Sequence, residues 1–82
     1  MRRFFFDLLV GNVVMIDPGG MVFERAEATF SAADDMARHL FVWRDDLRDR
    51  DACIRVRDAS GREVYRAAVW AEHADKQGWD LA

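Results

Sequence analysis

A single cysteine, Cys53, leaves this 82-residue chain with no partner for an internal disulfide, so it does not read as a small secreted scaffold stapled by bridges. A reducing cytoplasm fits better. Proline occurs once and glycine five times, which leaves no low-complexity tract. No apolar run approaches the ~18 residues that a membrane-spanning helix needs. The opening MRRFFFDLLVGNVVMI does place an apolar stretch after a charged start, as a signal peptide would. Asp7 interrupts that stretch, Gly11-Asn12 breaks it, and no small-x-small cleavage pattern precedes Asp17, so the segment is expected to belong to the domain. Excess charge of one sign is also lacking. A net charge of -3 and a pI near 5.2 give no overall field to draw in nucleic acid or an anionic membrane.

What is present is a balanced globular composition, 51% apolar and 33% charged, with ten aromatic side chains to build a core. A chain of this size makes one domain, and folding removes only about 60 to 65% of the surface it exposes when unfolded. Residues 1–70 are expected to form that domain and 71–82 a polar C-terminal tail, with Trp79 and Leu81 as isolated anchors.

Alternation assigns Phe4 to Val10 to a strand, with Phe4, Phe6, Leu8 and Val10 on one face and Phe5, Asp7 and Leu9 on the other. Gly11-Asn12 suits a two-residue hairpin turn, after which Val13 to Asp17 returns as a second strand. Asp17-Pro18-Gly19-Gly20 fits a type II turn, and Met21 to Phe23 a short extended piece. From about Glu24 to Trp43, Ala26, Phe30, Ala33, Ala37, Leu40 and Phe41 recur at steps of three and four, the mark of an amphipathic helix. The mixed-charge run Arg44 to Asp51 reads as a solvated connection pinned by Leu47. Ala52 to Asp58 alternates again, with Ile54 and Val56 inward and Cys53, Arg55 and Arg57 outward. Asp58-Ala59-Ser60-Gly61 then turns the chain into a last strand, Glu63 to Trp70, where Val64 and Tyr65 compete for the inward position. The fold class that follows is α+β: a two-layer β-β-α-β-β domain, a four-stranded antiparallel sheet with one long helix on one face. Its expected core is Phe6, Phe30, Ala33, Ala37, Leu40, Ile54 and Val56.

In these features the chain resembles a short family of uncharacterised proteins common in rhizobia and related alphaproteobacteria, a domain of unknown function. The matching residues are the opening Phe5, Phe6 and Asp7, then Gly11, Asp17, Gly20 and Ala28, and a closing Val56, Asp58, Gly61 and Val64. The likeness runs from about Arg3 to Val69. It departs at the helix entry, where Glu24-Arg25 replaces a polar cap or proline, and at Leu9-Val10, where the family often carries a charged pair. The resemblance implies a fold and a bacterial cytoplasm, and it implies no reaction.

Candidate chemistry is thin. Asp35 and His39 sit one helical turn apart, but two ligands do not make a metal site, and they read as an exposed i,i+4 pair. His73 reads as a solvated side chain. Cys53 has Arg55 and Arg57 for positive charge but no base or oxyanion donor, so it reads as a small residue on the sheet surface. Asp7 and Asp17 are conceivable as paired carboxylates. Asp17 is more simply the opener of a turn, and Asp7 an acceptor for a neighbouring backbone group or arginine. Gly19-Gly20 lacks the phosphate-loop pattern. Arg55, Arg57 and Arg66 could line an open sheet face with Phe5 or Tyr65 as stacking platforms, the basis of an alternative reading as a weak nucleic-acid-binding module. No catalytic residue, cofactor or metal is expected, and the chain is not expected to be an enzyme. A further alternative, a small enzyme or ligand-binding protein, requires a site formed only in an oligomer.

The Phe4-Phe5-Phe6 run carries more weight, because one helix covers only one face of a sheet and a strand apolar on both faces needs a second cover. The candidates are the C-terminal tail, through Trp70 and Trp79, and a second copy of the chain; the expected answer is a homodimer, or an unidentified protein partner, meeting Phe5, Leu9 and Trp70. The functional expectation is thus a non-enzymatic interaction protein working through an apolar sheet face, with no membrane association.

Overall fold

The computed structural model describes residues 1–47 and 50–69. Its elements are β1 (Arg2–Val10), β2 (Val13–Met15), β3 (Met21–Phe23), α1 (Ala28–Trp43), β4 (Ala52–Asp58) and β5 (Glu63–Ala68). All strand pairs are antiparallel, and α1 lies against β4 and β5, so the α+β class holds. β1 is the hub. β4 runs along one side of it, from Phe4↔Asp58 to Val10↔Ala52, while β2 and β3 share the other side. The extended piece at 21–23 is therefore a fifth strand, and β2 is shorter than the run to Asp17 suggested.

Gly11 takes a positive φ of 58° at the first central position of the β1–β2 turn, the position where a two-residue hairpin of type II′ requires it. The Pro18 turn differs from its expected type. A type II turn would put Gly19 at positive φ, whereas Gly20 carries it, at 69°. The reason is local: the Asp17 carboxylate accepts the N–H groups of both Gly19 and Gly20, so a side chain closes the turn in place of a carbonyl. At the far hairpin Asp58 acts similarly, taking the Ser60 and Arg62 N–H groups, and Gly61 sits at φ 92°.

The helix begins at Ala28, a turn later than expected. Residues 25–27 wind into tight i→i−3 bonds instead, from the Ala28, Thr29 and Phe30 N–H groups to Arg25, Ala26 and Glu27, and no side chain caps the start. Its buried stripe is Thr29, Ala33 and Ala37, with Met36 and Leu40 packed beside it. Phe30 is not in the core cluster. It lies at the margin and stacks on Tyr65, centroids 4.4 Å apart, so the expected face of the helix holds at Ala33, Ala37 and Leu40 while Phe30 gives its place in the core to Thr29. Small residues on both surfaces, Ala33 and Ala37 against Ala67, suit a helix lying close on β4 and β5. On the β1 side the rings of Phe4, Phe6 and Phe23 fill the space, Phe23 lying 6.1 and 5.8 Å from the other two.

Phe6, Ala33, Ala37, Ile54 and Val56 are core residues as expected, and Leu40 packs against them, but the largest fully buried side chain is Phe4. Leu47 is buried beneath a short 3-10 turn, Asp45–Leu47, as the connection required. A bulge opposite Val56 and Arg57 settles the facing of β5: Val64 is the extra residue, and Tyr65 points to α1, where its hydroxyl donates to Asp34 at 2.8 Å. Trp70 and the expected tail lie outside the described residues.

Candidate functional site

The open face of the sheet, away from α1, carries a polar cluster that the fold buries. Asp7 has no exposure at all. It stands opposite Arg55 on β4, two residues along from Phe5↔Arg57, so the register of β1 and β4 delivers both guanidinium groups to one carboxylate. Its Oδ2 accepts Arg55 Nε and Nη2 at 3.1 and 2.8 Å and Arg57 Nε at 2.7 Å. Its Oδ1 accepts Arg57 Nη2 at 3.3 Å and the Asp17 backbone N–H at 2.9 Å. Burial pushes the Asp7 carboxyl upward, but the donors from Arg57, the Asp17 backbone and Arg55 outweigh it and hold the group below its ordinary value. Both oxygens are thus occupied, so Asp7 is a structural anion that two strands share.

Asp17 completes the arrangement. β2 leaves β1 after Leu8↔Met15 and β3 joins it only at Phe4↔Met21, which strands the Phe6 N–H between them. The Asp17 Oδ2 accepts that N–H at 3.0 Å. This bond, ahead of the opposing effect of burial, holds the Asp17 carboxyl low, with the Gly20 and Gly19 N–H groups adding to it. Gly20 is fixed by the same packing, because a Cβ there would lie 2.6 Å from the Phe4 carbonyl oxygen and 2.9 Å from the Phe5 ring. Phe5 itself is sandwiched: the Arg57 guanidinium sits 4.6 Å from its centroid on one side, and the Gly20 loop adjoins it.

The other candidates separate. Leu9 is half-buried on the same open face as Phe5, between Val14 and Cys53 across the strands, and Trp70 lies outside the described residues. Burial pushes the Cys53 thiol up, Arg66 opposing it, which is the wrong direction for a nucleophile. The Asp35 carboxylate pairs with Arg38, and His39 Nδ1 approaches the Asp35 carbonyl oxygen at 3.2 Å, so this pair does not converge on a metal. No group of three metal-ligating side chains occurs among the described residues. Arg55 and Arg57 are committed to Asp7 and Arg66 to Glu63 at 2.8 Å, so each guanidinium of the anticipated basic stripe has a carboxylate partner. His73 lies outside the described residues. Beside α1 an open groove of about 370 Å³ is lined by Asp35, Met36, His39, Leu40 and Ile54.

Residues 3–70, from β1 past the end of β5, match a family model described as a domain of unknown function, DUF6894. The chain belongs to this family. No curated protein and no solved structure matches it. The DUF6894 match spans the Asp7 cluster, both hairpins and the helix, so the whole site lies inside the family's domain. No helix among the described residues is long and apolar enough to cross a membrane.

What sequence reasoning missed in this DUF6894 domain is the sheet edge. Val13, Val14, Met15 and Ile16 are 56, 46, 51 and 55% exposed, and Met21 and Val22 follow on the same side of β1. The signal was present as an unbroken apolar run, but only strand order shows that it lies on an edge.

Proposed function

We propose that this DUF6894 domain is a non-enzymatic interaction module, acting by self-association through the apolar part of its sheet, in an alphaproteobacterial cytoplasm. The observation that carries the reading is the exposed run Val13–Ile16. Water-exposed apolar side chains in sequence are an aggregation liability on an edge strand unless a partner covers them. Leu9 lies beside Val14 on the open face, so the surface continues inward from the edge, with Phe5 farther along the same strand. Asp7, Arg55 and Arg57 on that face, by contrast, satisfy one another within the chain. The Arg55 and Arg57 pairing also leaves little positive charge for nucleic acid, so self-association is the better-supported reading. Sedimentation velocity of the full chain across a micromolar concentration series tests it. A concentration-dependent dimer is expected, and a monomer at every concentration would overturn it.

A further inference from the structure

We propose that the partner is a second copy of this chain, joined by antiparallel pairing of β2 with β2 across a two-fold axis at Val14, so that two sheets become one. The inference rests on the self-association reading and names its surface and register.

The backbone sets the geometry. In an antiparallel pair the peptide groups of successive residues point alternately to the two sides of a strand. Phe6 sends its N–H toward the β2 and β3 side, and Gly11 sends its own toward Asp51 on the β4 side. Even residues of β1 therefore bond toward β2, and Leu9 bonds toward β4. Val14, the partner of Leu9, consequently turns its N–H and C=O away from β1, out of the sheet. No hydrogen bond from a described residue reaches them. A strand laid along this edge therefore finds one donor and one acceptor at Val14.

Charge selects the occupant. Edge strands in soluble proteins are ordinarily blunted by lysine, proline or a bulge, and Val13–Ile16 has none of these. The opposite edge is blunted: β5 exposes Glu63 and Arg66, so pairing β2 with β5 of another copy would set charges against apolar side chains. It would also be head-to-tail, and an open fibre is the usual outcome of such contacts. A two-fold at Val14 closes instead. It sets Val14 opposite Val14 and Val13 opposite Met15, and it places Asp17 opposite Gly11, so no like charges meet. The Asp17 carboxylate is already satisfied within its own chain.

Val14→Pro is the direct test. It removes the outward N–H, and proline is tolerated on an edge strand where that group has no partner in the sheet. The full-length variant should keep the wild-type circular dichroism, and its dimer dissociation constant should rise by about 30-fold through the loss of two backbone hydrogen bonds. A second arm uses single cysteines in a Cys53→Ser background. In Val14→Cys the two introduced thiols would face each other across the axis, their Cα atoms about 5.5 Å apart and within disulfide range, whereas in Val13→Cys they would be offset diagonally. Val14→Cys should therefore cross-link readily on oxidation and Val13→Cys should not. A folded Val14→Pro protein that dimerises like wild type would overturn the edge pairing while leaving self-association standing. Equal cross-linking at both positions, or none at Val14→Cys, would overturn it as well, even if Val14→Pro fails to fold. A wild-type chain that stays monomeric would remove both readings.

Discussion

Asp17 donates its backbone N–H to the Asp7 carboxylate at 2.9 Å, and the Asp17 carboxylate in turn accepts the N–H of Phe6, the residue before Asp7. The two aspartates thus bind the chain reciprocally across the gap where β2 ends and β3 has yet to begin. Each bond uses a different carboxylate as its acceptor, so the edge of β1 depends on both being ionised.

That dependence has a sign in pH. Both carboxyls titrate below their ordinary value of 3.8 in the folded chain, so on acidification the unfolded chain takes up these protons first. Their contribution is fully present well above 3.8, begins to fall as pH approaches that value, and is lost as pH passes through the lower folded values. Urea midpoints between pH 7 and pH 3 should therefore decline steeply only below about pH 5. A midpoint independent of pH over that range would show that the cluster does not support the fold.

Replacing Asp7 with Asn keeps the shape but removes the charge and turns an amide donor toward Arg55 or Arg57. Breaking a buried pair from one side leaves the other side uncompensated, and the expected loss is about 3 kcal/mol, moderated by the partial access of both arginines to water. Asp7→Asn should also flatten the acid limb of the pH profile. Equilibrium denaturation of the two proteins at pH 7 and pH 3 reads both effects.

The glycines should divide by what surrounds them. Gly61→Ala, at φ 92° with open space about it, should cost about 1 kcal/mol from backbone strain alone. Gly20→Ala meets the same kind of strain at φ 69° and adds a Cβ 2.6 Å from the Phe4 carbonyl, so about 2 kcal/mol or more is expected. Equal melting temperatures for the two variants would contradict the close approach of the 17–20 loop to β1.

Much of this was legible in the sequence. Alternation in β1 and β4 gave the correct inward sets because β strands have a fixed period of two, and the glycine and aspartate turns declared themselves through conformations few residues adopt. Leu47 as a pin and Asp7 as an acceptor also followed from residue type. Which arginines Asp7 would meet did not, since that requires the register of strands 48 residues apart. The role of Asp17 in holding the Phe6 N–H escaped for a related reason: periodicity shows strands but not the gap between two that share a neighbour. Tyr65 was ambiguous because a bulge shifts parity without leaving a mark in composition.

The placement of Phe30 is the clearest case, and it yields the last prediction. On α1 the apolar residues form a broad surface, with the stripe of Thr29, Ala33 and Ala37 next to Phe30, and hydrophobicity alone favours the larger ring for the interior. Packing decides otherwise, because a helix lying close on β4 and β5 needs small residues at the contact, and Phe4 and Phe6 from β1 already supply bulk. Phe4→Ala should then leave a cavity among Phe6, Phe23 and Val56 and cost about 3 to 5 kcal/mol. Phe30→Ala should lose only its stacking on Tyr65 and some partial burial, about 1 to 2 kcal/mol. Thermal melts of the two single variants separate the cases. A larger loss for Phe30→Ala than for Phe4→Ala would mean that the Phe30–Tyr65 stack, and not the Phe4 ring, carries the greater part of the core.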